Sequence, residues 1–178
     1  MLKIIEELKI LEEKLSKTTC CFTGHRPQKE DALLDSKSKD YKKMKKRVRK
    51  EIVNSIKLGY SNFISGMALG FDMMCAEIVL GLKKKYDIKL ICAVPCKNQD
   101  QYWTEKQREK YKAILNSADQ IRCLYQKYTR WCMQERNKFM VNNSSRVIAF
   151  FNGSEGGTKQ TIDYAKSKKL EIINLADK

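Results

Sequence analysis

Short apolar runs alternate with segments of helical periodicity along this chain, and this alternation constrains the fold more than any other feature. The apolar runs are residues 18–22, 62–65, 88–94, 120–125, 147–151 and 171–175. The helical patterns cover residues 2–16, 40–58, 73–85, 99–116, 131–142 and 158–168. Strands that alternate with helices form a mainly parallel sheet with helices on both faces. The sequence therefore predicts an α/β domain of three layers with about six strands.

The N-terminal segment, residues 1–17, has its own amphipathic pattern. Ile4, Leu8, Leu11 and Leu15 form one stripe of a predicted helix. The stripe is shorter than the three or four heptads typical of a coiled coil, so we expect it to pack against its own domain. Residues 18–178 are predicted to form a single domain, and a homo-oligomer stays open.

The composition excludes some classes of protein. No apolar run approaches the roughly 18 residues of a membrane span, and the N-terminus lacks the apolar core of a signal peptide. The seven cysteines are scattered, with no C-x-x-C pair and one histidine, which argues against a metal site and favours buried, reduced thiols. These features predict a soluble, cytoplasmic protein without a membrane partner or a bound metal.

A basic helix is predicted near the start of the chain. Lys37 and Lys50 are the first and last of nine Lys or Arg residues between positions 36 and 50, and Gly59 ends the helix. The formal net charge of the chain is +15. This pattern fits an ordinary solvated helix face, and it also fits a surface that attracts nucleic acid.

Three strand-like runs end in glycine-containing segments: residues 23–26, 66–72 and 152–158. Glycines before a helix expose backbone N–H groups, which together with the helix dipole bind anions such as phosphate. Ligands of doubly wound sheets bind at the carboxyl ends of the strands, so these loops are expected to share one site. The predicted ligand-binding residues are Thr23, Gly24, His25, Arg26, Gly66, Met67, Ala68, Gly70, Asp72, Pro95, Arg136, Asn137, Gly153, Glu155, Gly156, Gly157 and Thr158.

Some of these side chains have a structural alternative. Arg26 can grip a phosphate or form a surface ion pair, and His25 can contact the ligand or bond a neighbouring backbone group. Asp72 fits better as the N-cap of the following helix than as a ligand contact. Neither G-x-G-x-x-G nor a Walker-type loop is present, so no familiar dinucleotide or nucleoside triphosphate site is predicted.

At these residues the chain resembles the YpsA-type family of the SLOG superfamily, which also includes Smf/DprA and LOG proteins. The matching pieces are residues 23–27, residues 65–72, Pro95 with Gln101 and Trp103, Gln134 with Arg136 and Asn137, and residues 152–158. They run in family order across roughly residues 19–175. The resemblance implies a Rossmann-like fold and a pocket for a nucleotide-derived small molecule, such as an ADP-ribose-like ligand, with no certain cofactor.

Two relatives suggest different activities. LOG enzymes cleave a base–ribose bond with a P-G-G-x-G-T-x-x-E loop, and here Thr161 occupies the position of that Glu. A hydroxyl cannot replace the carboxylate against a cationic transition state, so the resemblance favours binding or sensing over catalysis. Hydrolysis of an N-glycosidic or phosphate bond, with Asp72, Glu155 or His25 as acid–base groups, is the first alternative. DprA-like binding of single-stranded nucleic acid is the second.

Overall fold

The computed structural model describes residues 2–25 and 37–176, in which six helices and six strands alternate. The helices are α1 (Leu2–Lys17), α2 (Lys39–Lys57), α3 (Phe71–Leu82), α4 (Glu105–Ser117), α5 (Cys132–Asn142) and α6 (Gly157–Ser167). The strands are β1 (Thr19–Gly24), β2 (Asn62–Ser65), β3 (Lys89–Cys96), β4 (Gln120–Tyr125), β5 (Arg146–Phe150) and β6 (Glu171–Asn174). The predicted α/β class is confirmed.

The six strands form one parallel sheet in the order β4-β3-β2-β1-β5-β6. The chain builds outward from β1 to β4 and then returns to place β5 on the other side of β1. Cys20 and Gly24 of β1 pair with Arg146 and Phe150 of β5. The strand order therefore reverses between β1 and β5, which is where ligands bind in open α/β sheets.

Helices cover both faces of the sheet. Cys20 and Phe22 point into one core with α2, α3 and α4, whereas Cys21 points into the other core with α5 and α6. This alternation along β1 follows from the period of two in a strand. Because both faces are covered, β1 is buried along almost its whole length.

Most element boundaries lie within two residues of the prediction, and α4 is the main exception. We predicted a helix from residue 99, but residues 99–103 form turns and α4 begins at Glu105. Thr104 accepts a hydrogen bond from the Gln107 N–H, and the Gln107 side chain accepts one from the Thr104 N–H. This capping box was readable in the sequence and fixes the start of α4.

The prediction that α1 packs its apolar stripe against the domain is wrong for the C-terminal half of the helix. Leu11 is 60% exposed and Leu15 is 52% exposed. The Leu15 carbonyl accepts hydrogen bonds from Thr18 and Thr19, which anchor the end of α1 to β1. Of the predicted stripe, the structure describes the side chains of Leu11 and Leu15, and both are largely exposed, while hydrogen bonds fix the end of α1 to β1.

Six of the seven cysteines are buried, as predicted, and Cys123 is exposed. Burial raises the pKa of Cys20 and Cys75 well above the usual thiol value, and it raises the pKa of Cys21 to about 12. A thiol with a raised pKa stays protonated and is a poor nucleophile or metal ligand. Among the described residues, no group of three or more His, Cys, Asp or Glu could hold a metal ion.

Candidate functional site

A cavity of about 280 Å³ opens at the carboxyl edge of the sheet, where the strand order reverses. Its walls come from the end of β1, the β2–α3 loop with the first turn of α3, the first two turns of α5 and the start of α6. The lining residues are Phe22, Thr23, Gly24, His25, Ala68, Asp72, Met133, Arg136, Asn137, Gly157 and Thr158. The predicted meeting of the three glycine segments thus occurs at the place that the topology indicates.

The end of β1 forms one wall of this cavity. Gly24 passes so close to α3 that an added Cβ would lie 2.6 Å from the Phe71 ring, so only glycine fits there. Thr23, the residue before it, is buried and lines the cavity. The sequence predicted a tight turn at Gly24, but it could not show that α3 is the element approaching it.

His25 connects two of the loops. Its backbone N–H donates to the Phe150 carbonyl at 3.3 Å, and its ring packs at a tilt against the Phe151 ring, with 5.6 Å between the ring centres. The Nε2 atom accepts from the Asn152 N–H at 3.4 Å and lies 3.3 Å from the Ser154 hydroxyl. His25 therefore makes the predicted bond to a neighbouring backbone group, and because it also lines the cavity, its contact with a ligand stays a prediction.

The β2–α3 loop is held by internal hydrogen bonds. The Ser65 hydroxyl donates to the Asp72 carbonyl at 2.9 Å and accepts from the Met67 N–H at 3.2 Å. Met67 adopts a left-handed backbone conformation with φ of 56°, which is unusual for a residue other than glycine. Met67 is fully buried and lies behind the cavity wall, with Ala68 in front.

Asp72 does not cap α3, contrary to our prediction. The N-cap is Gly70, with φ of 87° and no side-chain hydrogen bond, and Asp72 lies inside the first turn. The buried Asp72 carboxylate accepts from the Ala68 N–H at 3.4 Å, so it stabilises the preceding loop. Glycine at the N-cap allows this positive φ. Because glycine has no side chain, it cannot form a side-chain cap.

Arg136 is a buried cation that lines the cavity. It is 5% exposed, its Nη1 donates to the Gly66 carbonyl, and its Nε donates to Asn137 Oδ1 at 2.8 Å. A Cβ on Gly66 would overlap the Arg136 guanidinium and lie 2.8 Å from Asp72 Oδ2. Gly66 therefore makes room for a buried arginine and carboxylate, and does not touch the cavity itself.

The start of α6 forms the opposite wall. Gly156 is the N-cap with φ of 139° and no side-chain hydrogen bond, and Gly157 and the buried Thr158 line the cavity. The Thr161 hydroxyl donates to the Gly157 carbonyl at 2.7 Å. LOG enzymes carry their Glu at this position. In this chain the Thr161 side chain instead forms a hydrogen bond to the backbone of its own helix.

The helices around the cavity share one property. The N-caps of α3, α5 and α6 are Gly70, Trp131 and Gly156, and none makes a side-chain capping bond. By contrast, Ser38 caps α2 and Thr104 caps α4. All five of these helices begin at the carboxyl edge of the sheet. Side-chain caps are missing at α3, α5 and α6, which supply cavity residues, and are present at α2 and α4. Uncapped N-termini leave N–H donors and positive dipole ends available to an anion.

Several predicted site residues lie away from the cavity lining. Gly66, Met67 and Gly70 support the β2–α3 loop, and Gly156 supports the start of α6. Pro95 lies within β3, which runs to Cys96 and does not end at Val94 as we predicted. The Glu155 side chain is 87% exposed beside Lys159, and Gly153 is exposed. Arg26 lies outside the described residues.

Phe22 and Met133 also line the cavity, although they are not among the predicted site residues. Phe22 is the residue before Thr23 at the end of β1, so the strand itself could have indicated it. Met133 precedes Arg136 by three positions on α5, and this helical spacing was the only available signal.

The fold and this cavity define a Rossmann-like α/β protein with a polar site at its topological switch point. A family model described as "YpsA: YspA SLOG family" matches residues 20–175. The chain belongs to this family. It is also 36% identical over 121 residues to the uncharacterized SPbeta prophage-derived protein YoqJ of Bacillus subtilis (strain 168). That match covers 61% of this chain and 71% of YoqJ.

Solved structures of DNA processing protein A (DprA) have the same fold. The Streptococcus pneumoniae protein superposes with a TM-score of 0.62 at 14% identity, over 92% of this chain and 52% of that protein. The Helicobacter pylori protein, described for its single-stranded DNA binding mode, has a TM-score of 0.62 at 18% identity, over 94% of this chain and 69% of that protein. This chain therefore spans about half the length of the pneumococcal protein.

One further finding concerns membranes. Within residues 2–25 and 37–176, no helix is long and apolar enough to cross a bilayer.

Proposed function

We propose that this protein binds a nucleotide or nucleotide-derived small molecule in the switch-point cavity, with a phosphate at the N-terminus of α6. The observation that carries the proposal is the absence of side-chain caps at α3, α5 and α6, while α2 and α4 are capped. The N–H groups of an uncapped helix start satisfy a phosphate without any cationic side chain. Membership of the SLOG family supports a nucleotide or nucleic-acid ligand.

The size of the cavity favours a compact ligand. Its volume of about 280 Å³ is just below the roughly 300–1,000 Å³ typical of small-molecule sites. A mononucleotide suits this space, and an ADP-ribose-like ligand would extend over its rim. Thr23, Asn137 and Thr158 offer neutral hydrogen-bonding groups for hydroxyls of the sugar.

Calorimetric titration of AMP, ADP, ADP-ribose, NAD and adenosine tests the proposal. We expect the phosphate-bearing compounds to bind and adenosine to bind at least tenfold more weakly, because only the phosphate uses the start of α6. Gly157→Asp should abolish binding, since it places a carboxylate at that position. Ser167→Asp adds the same charge at the far, exposed end of α6 and serves as the matched control. Equal affinities for AMP and adenosine, or no binding at all, would contradict the proposal.

The hydrolase alternative depends on an acid beside the bound sugar. Among the described residues, Asp72 is the one carboxylate that lines the cavity. Its Oδ2 atom and the Arg136 guanidinium both lie close to Gly66. Release of base or phosphate that survives Asp72→Asn would exclude the mechanism that the cavity supports best. Release that disappears in a folded Asp72→Asn variant would support it.

Nucleic acid is the second candidate ligand. Its support is α2, on which the exposed cations are Lys39, Lys42, Lys43, Lys45, Lys46, Arg49, Lys50 and Lys57. The structural similarity to the Helicobacter pylori protein adds to this support. A cationic helix predicts affinity that falls steeply with salt, because phosphate binding releases counterions.

A further inference from the structure

The exposed aromatic side chains of the described residues lie in one region. They are Tyr102 (91% exposed), Tyr125 (37%), Tyr128 (61%) and Trp131 (54%). We call these four residues the aromatic edge. They belong to the β3–α4 loop, the end of β4 and the β4–α5 loop, all at the carboxyl edge of the sheet on the β4 side. None of them lines the nucleotide cavity.

The two loops that carry the aromatic edge are tied together. The Lys97 N–H donates to the Tyr125 carbonyl at 3.2 Å, and the Tyr128 N–H donates to Asn98 Oδ1 at 3.1 Å. The Gln99 side chain donates to the Met67 carbonyl at 2.6 Å, which anchors the β3–α4 loop to the β2–α3 loop. These bonds connect the backbones of the segments that carry the aromatic side chains.

Positive charge surrounds the aromatic edge. Lys97, Lys127 and Arg130 are exposed in the same two loops, and the Arg130 guanidinium lies 4.3 Å from the centre of the Trp131 ring. The acid in these loops is Asp100. Its carboxylate acts on the buried Tyr111 of α4, whose pKa is raised first by burial and then by this charge. Glu105 adds a second carboxylate at the start of α4.

Exposed aromatic rings among cations suit a partner with flat apolar faces and negative charge. Single-stranded nucleic acid has both, because its unpaired bases stack on aromatic rings and its phosphates bind Lys and Arg. A duplex fits less well, because its base faces are hidden by stacking. A second copy of this chain also fits less well, because its cations would lie against the cations of the aromatic edge. We propose that the aromatic edge is a stacking site for unpaired bases of a single strand. This goes beyond the nucleotide cavity and does not depend on it.

Fluorescence anisotropy with a labelled oligothymidylate of about 20 nucleotides tests the proposal. Trp131→Ala and Tyr128→Ala should each weaken binding about fivefold or more, the loss expected when one stacking platform is removed. Leu58→Ala is the matched control. Leu58 is also largely exposed (66%), but it follows α2 at the amino edge of the sheet. Affinity close to that of the wild-type protein is expected for this control.

Tryptophan fluorescence reports stacking directly. Trp103 packs edge-on against Tyr111 and is half-buried, so Trp103→Phe leaves Trp131 as the single tryptophan. Adding the oligonucleotide should quench this remaining signal. Lys45→Ala with Lys46→Ala on α2 tests the other basic surface, and it should leave the quenching intact while lowering affinity for single strands and duplexes alike.

Three results would overturn the proposal. The first is wild-type affinity in folded Trp131→Ala and Tyr128→Ala variants. The second is equal affinity for the single strand and a duplex of the same length, which would mean that only phosphates are recognised. The third is binding to phosphatidylserine vesicles without binding to the oligonucleotide, which would assign these aromatic and cationic groups to a lipid surface.

Discussion

At the scale of single residues, the glycines of the site have different roles, although we predicted from the sequence that all of them belong to loops that bind one ligand. Gly24 makes room for Phe71, and Gly66 makes room for the Arg136 guanidinium. Gly70 and Gly156 begin helices with positive φ. Of the glycines in these loops, the cavity lining includes Gly24 and Gly157. Gly66 allows the Arg136 and Asp72 side chains to lie close to the backbone, whereas Gly70 and Gly156 allow a positive φ.

Gly66→Ala tests this role of Gly66. The new Cβ would overlap the Arg136 guanidinium, which is buried and cannot move without losing its bond to the Gly66 carbonyl. We expect a loss of about 1–3 kcal/mol in the free energy of unfolding and weaker binding of any cavity ligand. Urea unfolding measures the first effect and calorimetry the second.

Gly81→Ala provides the control for Gly66→Ala. Gly81 lies within α3 and is exposed, with open space around its Cα. Alanine there should stabilise the protein by up to about 1 kcal/mol, because glycine is a poor helix residue. If both variants are equally stable, the contact with Arg136 is not what requires Gly66.

At the scale of elements, two helices end in the same way with different residues. After α2, Gly59 has φ of 94°, and the N–H groups of Gly59 and Tyr60 bond Ile56 and Ser55. This is the Schellman motif, and it confirms Gly59 as the predicted stop. After α6, Lys169 and Leu170 bond Lys166 and Ala165 in the same pattern, but Lys169 has φ of 60°.

Lys169→Gly should therefore stabilise the protein. A left-handed conformation costs a residue with a Cβ about 1–2 kcal/mol, and the exposed Lys169 side chain makes no described contact that offsets it. We expect a gain of about 1 kcal/mol, which corresponds to a rise of about 2–4 °C in Tm for a chain of this size. Lys169→Gln removes the charge but keeps the Cβ, so its Tm should stay near that of the wild-type protein. Gly59→Ala should lower Tm by a similar amount.

At the scale of the whole molecule, the two edges of the sheet differ: the exposed candidate sites lie at one edge, and ion pairs connect the elements at the other. The cavity and the aromatic edge lie at the carboxyl edge. At the amino edge, the buried Arg146 at the start of β5 bonds Glu171 of β6 and Ser55 of α2. Burial opposes the charge of Arg146, but hydrogen bonds to Glu171 and the charge of Glu171 outweigh this effect and raise the Arg146 pKa.

Asp119 is a second residue whose hydrogen bonds connect elements at the amino edge, and its bonds predict that the stability of the protein depends on pH. It accepts from Lys83 Nζ at 2.7 Å and from the Leu90 N–H at 2.8 Å. Burial alone would raise the Asp119 pKa, but these bonds outweigh it and lower the pKa below the ordinary value. A lowered pKa stabilises the folded state above the ordinary aspartate pKa of about 3.9, and this contribution is lost as pH falls through the folded-state pKa.

Asp119→Asn should lose about 1–2 kcal/mol of stability at pH 7. The difference in Tm from the wild-type protein should shrink as the pH falls through the acid range, where the wild-type carboxylate is protonated. Because Asp119 lies at the amino edge, the Kd of a cavity ligand should not change. Thermal unfolding at several pH values and calorimetry at pH 7 measure the two effects, and a constant difference in Tm across the acid range would contradict this assignment.

The sequence by itself determined the α/β class, most element boundaries and the edge at which the glycine segments meet. These depend on local periodicity and on the topology of parallel strands, both of which can be read along the chain. Only the tertiary structure decided that Gly66 faces Arg136, that Asp72 bonds the loop before it, that His25 bonds Asn152 and that four aromatic residues gather beside β4. Each of these depends on contacts between residues distant in sequence or on the backbone conformation of a loop, and neither leaves a periodic pattern in the chain.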